Sequence, residues 1–183
     1  MKTIGIIAEY NPFHEGHLYH IKKIKEKYPE DKIVLVMCGN FTERGEVTII
    51  DKWKRTENAL KNGIDLVVEL PYPFATQSAD FFAYGAITIL EKLQVDKVIF
   101  GSESNDIQTL EKIAKVQIEN DDFDQLVKIH SRLGKNYPTA ISAAIEDLTG
   151  EKVITPNDLL GVSYLKTILK NHYTIQQIGR AHV

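Results

Sequence analysis

The stretch IIAEYNPFHEGHLYH, residues 6–20, decides how this chain folds. The apolar, β-branched run TIGIIAEY predicts a strand, and the helical spacing of Leu18, Ile21, Ile24 and Tyr28 in HLYHIKKIKEKY predicts a helix. They meet at NPFHEG, where two histidines flank Glu-Gly at the mouth of the helix. A core has little use for such a turn. A helix entrance offers free backbone N–H groups and the positive end of the dipole, which favour an anion. Gly16 lets backbone approach a bulky group without a Cβ in the way. His14 and His17, three residues apart, therefore read as donors to a phosphate. The helix dipole disfavours an imidazolium there and a bound triphosphate favours one.

Outward from this turn the pattern repeats. KIVLVMCGN predicts a second buried strand, and DKWKRTENALKNG a helix with an Asp cap and a stop at Gly63. IDLVVELP predicts a third strand, SADFFAYGAITILEKLQ a helix, and DKVIFGSE a fourth strand broken at Gly101. Strands joined by helical crossovers imply an α/β fold with a parallel sheet covered on both faces. From about Asp106 the pattern turns helical, through IQTLEKIAKV, DFDQLVKIHSRLG, PTAISAAIEDLTG and PNDLLGVSYLKTILKN, before a last apolar piece, YTIQQIG. The expected organisation is a Rossmann-like core over 1–105 and a helical extension over 106–183 that ends in a final short strand; the resemblance given below makes the core nucleotide-binding and has that strand complete the ATP site. NPFHEGH, CGNFTERGE and FGSES all fall at strand ends, where open parallel sheets bind ligands.

Of the 183 residues, 43% are hydrophobic and 26% charged, as in ordinary globular proteins. A net charge of −3 argues against the whole chain being an electrostatic nucleic-acid binder, so any RNA contact is local. Seven acidic residues between Glu103 and Asp124, against Lys112 and Lys115, mark a face expected to point away from RNA. No uncharged run exceeds ten residues, short of the roughly 18 that a membrane span needs, and no export signal opens the chain. A cytoplasmic protein is expected. Cys38 is the only thiol and no HExxH helix is present, so no protein-held metal site is expected.

EYNPFHEGHLYH, VMCGNFTERGE, DKWKRTENAL, DLVVELP and FGSES, in this order, closely resemble the bacterial tRNA(Met) cytidine acetate ligases, a family of the HxGH nucleotidyltransferase superfamily. The likeness runs from the first strand to about residue 179. It implies ATP-dependent activation of acetate to acetyl-adenylate, with Mg²⁺ accompanying the nucleotide. Acetyl transfer to N4 of the wobble cytidine of elongator tRNA(Met) follows. The resemblance assigns catalysis to His14 and His17. It assigns ATP binding to Ile7, Ala8, Glu9, Tyr10, Asn11, Pro12, Phe13, Glu15, Gly16, Leu18, Tyr19 and His20, with Gly101 and Asn157 from later segments. The family carries a basic residue just before its final Ile-Gly; this chain has Gln177 there, with Arg180 three places on as the candidate replacement. Family members continue with a further helical region, so a C-terminally truncated chain is expected. The alternatives are a cofactor-biosynthetic adenylyltransferase and a non-catalytic ATP-binding fragment.

Other residues carry plainer expectations. Cys38 reads as a half-buried core thiol, and Lys22, Lys23, Lys25 and Lys27 as a solvated helix face. Arg44, Lys52, Lys54 and Arg55 read either as holders of pyrophosphate or RNA or as surface charge. Trp53, Phe74, Phe81, Phe82 and Tyr84 read as core aromatics rather than base-stacking residues. FTERGE reads as a mobile loop over the site, and His130 and His172 carry no role.

Overall fold

In the computed structural model, residues 1–151 and 155–179 are described. The apolar runs form β1 (Thr3–Ala8), β2 (Lys32–Cys38), β3 (Leu66–Leu70), β4 (Lys97–Phe100) and β5 (Gln176–Gly179). They make one parallel sheet in the order β3-β2-β1-β4-β5. The helices are α1 (Glu15–Lys27), α2 (Lys52–Lys61), α3 (Tyr72–Ala75), α4 (Ala79–Lys92), α5 (Ile107–Glu119), α6 (Phe123–Arg132), α7 (Tyr137–Thr149) and α8 (Pro156–Lys170). Only the one-turn α3 has no counterpart in the sequence reading. Strand order reverses between β1 and β4, so the carboxyl ends of those two strands flank the crevice where such sheets bind ligands.

Successive side chains on a strand face opposite ways, and β2 uses both faces. Ile33, Leu35 and Met37 join Ile4, Ile6, Ile21, Ile24 and Ala59 in a core beneath α1 and α2. Val34, Val36 and Cys38 join Val98, Phe100 and apolar residues of α4 to α8 in the larger core on the other face. Each fully buried Ile or Leu contributes about 1.5–3 kcal/mol, which explains why β2 has no polar alternation. The helices after residue 106 share this second core with α4 and β4. At Gly161 of α8 a Cβ would lie 2.7 Å from the Phe100 ring, so glycine lets α8 rest directly on the end of β4.

The opposite edge of the sheet is fixed by three aspartates, each just before a strand. The Lys2 amide donates to Asp31 Oδ1 at 2.8 Å, the Ile33 amide to Asp65 Oδ2 at 2.9 Å and the Thr3 amide to Asp96 Oδ2 at 2.7 Å. Each carboxylate therefore holds an adjoining strand in register and satisfies an N–H that the ladder leaves over. The carboxyl edge is left to the loops that carry the unusual residues.

Candidate active site

β1 ends at Ala8, and the chain turns through Tyr10 (φ 50°) and a cis Asn11–Pro12 bond into α1. Left-handed backbone is uncommon for a bulky aromatic residue and marks a turn imposed by its surroundings. Tyr10 is buried, with Phe13 edge-on at 4.9 Å and His17 at 4.6 Å between ring centroids.

The two histidines form a reciprocal cap. The Gly16 amide donates to His14 Nδ1 at 3.1 Å, and the His14 amide donates to His17 Nδ1 at 3.3 Å. This is a capping box with imidazoles in place of the usual hydroxyl and carboxylate. A ring nitrogen that accepts a hydrogen bond carries no proton, so each neutral ring holds its proton on Nε2. The rings stack at 3.7 Å between centroids, so the cap aligns two Nε2–H donors side by side at the helix entrance. Burial, then the neighbouring charges of His14 and His20, push the His17 pKa down to about 4. His17 is therefore neutral at pH 7 in the folded chain, and on this ring the disfavouring influences prevail.

The other predicted contacts differ in their surroundings. Glu9 and Asn11 face the segment after β2: Glu9 Oε1 accepts from the Glu43 amide at 2.6 Å and Asn11 Oδ1 from the Ile49 amide at 2.7 Å. Ile7 packs against the larger core, while Ala8 and Phe13 pack against the α1/α2 core. His20 is largely buried, and its Nε2, like the Tyr10 hydroxyl, has no hydrogen-bond partner among the described residues. Glu15 and Pro12 are exposed, as is Tyr19, which Lys23 overlies at 5.5 Å. Leu18 lines a groove between α1 and α2, away from the histidine pair, with Lys25 and Gly63.

Across the crevice, Gly101 follows β4, and a Cβ there would meet nothing within 4 Å. Asn157, in the first turn of α8, donates to Glu103 Oε1 at 2.6 Å. Arg180 lies outside the described residues; Gln177, the point of departure from the family, pairs through its backbone with Val98.

One residue that matters here was not singled out from sequence, and a second plays a part other than those expected of it. Asp158 is buried and accepts from Ser102 Oγ at 2.5 Å, the Ser104 amide at 3.1 Å and Thr155 Oγ1 at 2.8 Å. It fixes the GSES loop against α8 and so holds Gly101 and Asn157 at one edge of the crevice. Thr155-Pro-Asn-Asp158 is the Ser/Thr-x-x-acid pattern of a helix start, which could have flagged it. Arg55 is fully buried, and every guanidinium N–H has an acceptor: the carbonyls of Glu9, Cys38, Gly39 and Ile50 and the Cys38 sulfur. It is thus neither a surface charge nor a free hand for pyrophosphate. It ties the ends of β1 and β2 to the start of α2.

Several plainer expectations are also revised. Trp53 is 73% exposed, and Phe81 and Tyr84 are exposed as well; only Phe82 is core and Phe74 partly so, because the apolar face of α4 is filled by its alanines, Ile87 and Leu90. Cys38 is wholly buried, and burial raises its thiol pKa against the pull of Arg55. FTERGE is a pinned hairpin, with Phe41 bridged to Val47 and Thr42 bonded to Glu46 and Gly45, rather than a loose loop. Lys52 and Lys54 pair with Glu69 and Glu57. Among the lysines of α1, Lys23 pairs with Glu26 on an exposed face, as expected.

Comparison with known proteins agrees with this fold. The model of the HIGH Nucleotidyl Transferase family matches residues 1–182, and the chain belongs to that family. The resemblance to tRNA(Met) cytidine acetate ligases is borne out. The chain is 48% identical over 180 residues to the protein of that name from Caldicellulosiruptor saccharolyticus, covering 97% of this chain and 45% of the relative. It is 44% identical over 175 residues to that from Mesomycoplasma hyopneumoniae strain J, covering 95% and 55%. Thermotoga maritima TmcAL, solved bound with alpha-thio ATP, matches with a TM-score of 0.89 at 39% identity, over 99% of this chain and 47% of that one. The chain spans about half the length of the curated relatives it matches.

Proposed function

We propose that this chain is the nucleotide-binding part of an ATP-dependent acetate ligase that acetylates N4 of the wobble cytidine of elongator tRNA(Met) in the cytoplasm. The observation that carries the reading is the histidine cap, which presents two Nε2–H donors at the first strand end of a nucleotidyltransferase fold. The ATP analogue in the T. maritima relative supports it. ATP would lie along Ile7 to His20, with Gly101 and Asn157 across the crevice, and Arg180 after β5 would supply the remaining cation. Groups of three or more His, Cys, Asp or Glu suited to a metal are absent among the described residues. Mg²⁺ would arrive with the nucleotide and neutralise the charge of its phosphates.

In the first step an acetate oxygen attacks the α-phosphorus, the bond to the β-phosphate oxygen breaks, and pyrophosphate leaves. The chain's task is positioning and charge stabilisation. The His14 and His17 Nε2–H groups donate to α-phosphate oxygens as charge builds there. In the second step the cytidine N4 attacks the acyl carbon, the mixed anhydride breaks, AMP leaves and N4 loses a proton.

Pyrophosphate release from ATP and Mg²⁺, with and without acetate, tests the reading. Acetate-dependent release is expected. ATP binding without release would favour a non-catalytic nucleotide-binding module, and release requiring a mononucleotide or phosphopantetheine would favour a cofactor-biosynthetic adenylyltransferase.

A further inference from the structure

Beside the nucleotide turn, five large apolar side chains face solvent. Trp53 (73% exposed), Ile49 (75%), Val47 (71%), Tyr72 (61%) and Phe41 (36%) stand on the hairpin after β2, the first turn of α2 and the start of α3. Three of them are joined directly. Phe41 and Tyr72 meet edge to face at 5.4 Å, Phe41 bridges to Val47, and the Lys52 amide donates to the Asn40 side chain. Lys52 Nζ lies 5.2 Å from the centre of the Trp53 ring. Ile49 joins the patch to the nucleotide turn, since its amide is bonded to Asn11. Exposed apolar side chains gathered on adjoining segments in this way mark an interaction site.

We propose that this patch is a stacking platform for unpaired bases of the RNA substrate, with Trp53 as its anchor. The inference rests on the acetyl-transfer reading, whose acceptor is the exocyclic amine of a base. Such an amine is available only when the base leaves the helical stack, and proteins hold splayed bases flat against aromatic rings. The patch is held against the turn that carries the histidine cap, where an activated acyl group would form. Its charge suits single-stranded RNA held by stacking more than duplex held by its backbone. Lys52 and Lys54 are already paired with Glu69 and Glu57, and Glu43 and Glu46 flank Arg44 on the hairpin. Few cations remain to neutralise phosphates, so binding should show a shallow dependence on salt.

Trp53 is the only tryptophan of the chain, so its fluorescence reports on the platform directly. The 183-residue chain is titrated with an RNA stem-loop bearing an unpaired cytidine in its loop, and with a blunt RNA duplex of equal length. Saturable quenching by the stem-loop and none by the duplex is expected. Trp53→Ala should weaken stem-loop affinity about five- to hundredfold, the usual loss of one stacked base, with Trp53→Phe retaining most of it. Acetate-dependent pyrophosphate release should stay unchanged in both variants. Unaltered Trp53 emission up to millimolar stem-loop, or equal affinity in Trp53→Ala, overturns the platform. A concentration-dependent blue shift without RNA, with dimers in sedimentation, overturns it in favour of a second copy on the same face. Loss of pyrophosphate release from the wild-type chain with quenching intact would instead refute the acetyl-transfer reading alone.

Discussion

At the scale of single residues, the proposed reading has the histidine pair divide its nitrogens between structure and chemistry. Nδ1 of each ring serves the helix cap, and on that reading Nε2 donates to the nucleotide. His17→Asn separates the roles, because the amide oxygen can accept from the His14 backbone while nothing reaches where Nε2 stood. Adenylation should fall about 10²–10³-fold, the loss expected for one preorganised donor to developing negative charge. The melting temperature should stay within about two degrees of wild type. Adenylation at the wild-type rate would remove His17 from the chemistry; a fall matched by a large drop in melting temperature would make its role structural. The pairing of the histidines with a helix entrance is legible in HEGH by spacing alone. The tautomers are not, since they depend on which amides the rings meet once the turn has formed.

At the scale of elements, the carboxyl edge of the sheet depends on a buried arginine, Arg55, that reaches β1, β2 and α2 together. Arg55→Met keeps most of the side-chain volume and removes every donor, leaving the carbonyls of Glu9, Cys38, Gly39 and Ile50 without that partner. Each unsatisfied buried group costs about 1–3 kcal/mol, so destabilisation of at least about 3 kcal/mol is expected in urea melts. An unchanged midpoint would show that the clamp contributes nothing net. Gly161→Ala should cost about 1–3 kcal/mol by forcing the Phe100 ring aside, a loss read in the same melts. The elements themselves were legible because strands buried on both faces and amphipathic helices leave clear periods. The part played by Arg55 was not legible: its charge reads as surface or as a contact for pyrophosphate or RNA, and only the tertiary meeting of two strand ends buries it. Trp53 failed in the opposite sense, since aromatic character predicts burial and α2 already fills its inner face with Arg55 and Ala59.

At the scale of the whole molecule, the folded chain suppresses protonation at several places, and this sets how stability varies with pH. The His17 pKa is pushed down to about 4 and that of His20 is lowered by burial, whereas an unfolded histidine titrates near 6.5. Between pH 6.5 and 4 the unfolded chain thus binds more protons than the folded one, and stability must fall as pH falls through that window. The strand-register aspartates extend the trend. The Lys2 amide holds Asp31 below the ordinary carboxylate range. At Asp65 burial pushes upward, but the Ile33 amide and Lys32 outweigh it and hold the pKa down. Their contribution is present above the unfolded carboxylate pKa of about 4 and is lost as the solution is acidified further. Melting temperature should therefore be flat from pH 8 to 7, decline from 6.5 toward 4, and decline again below 4. His17→Asn should flatten the first decline and leave the second, while Asp65→Asn should do the reverse. A first decline of full size in His17→Asn would place the proton uptake elsewhere and remove the case for a neutral His17 in the folded chain.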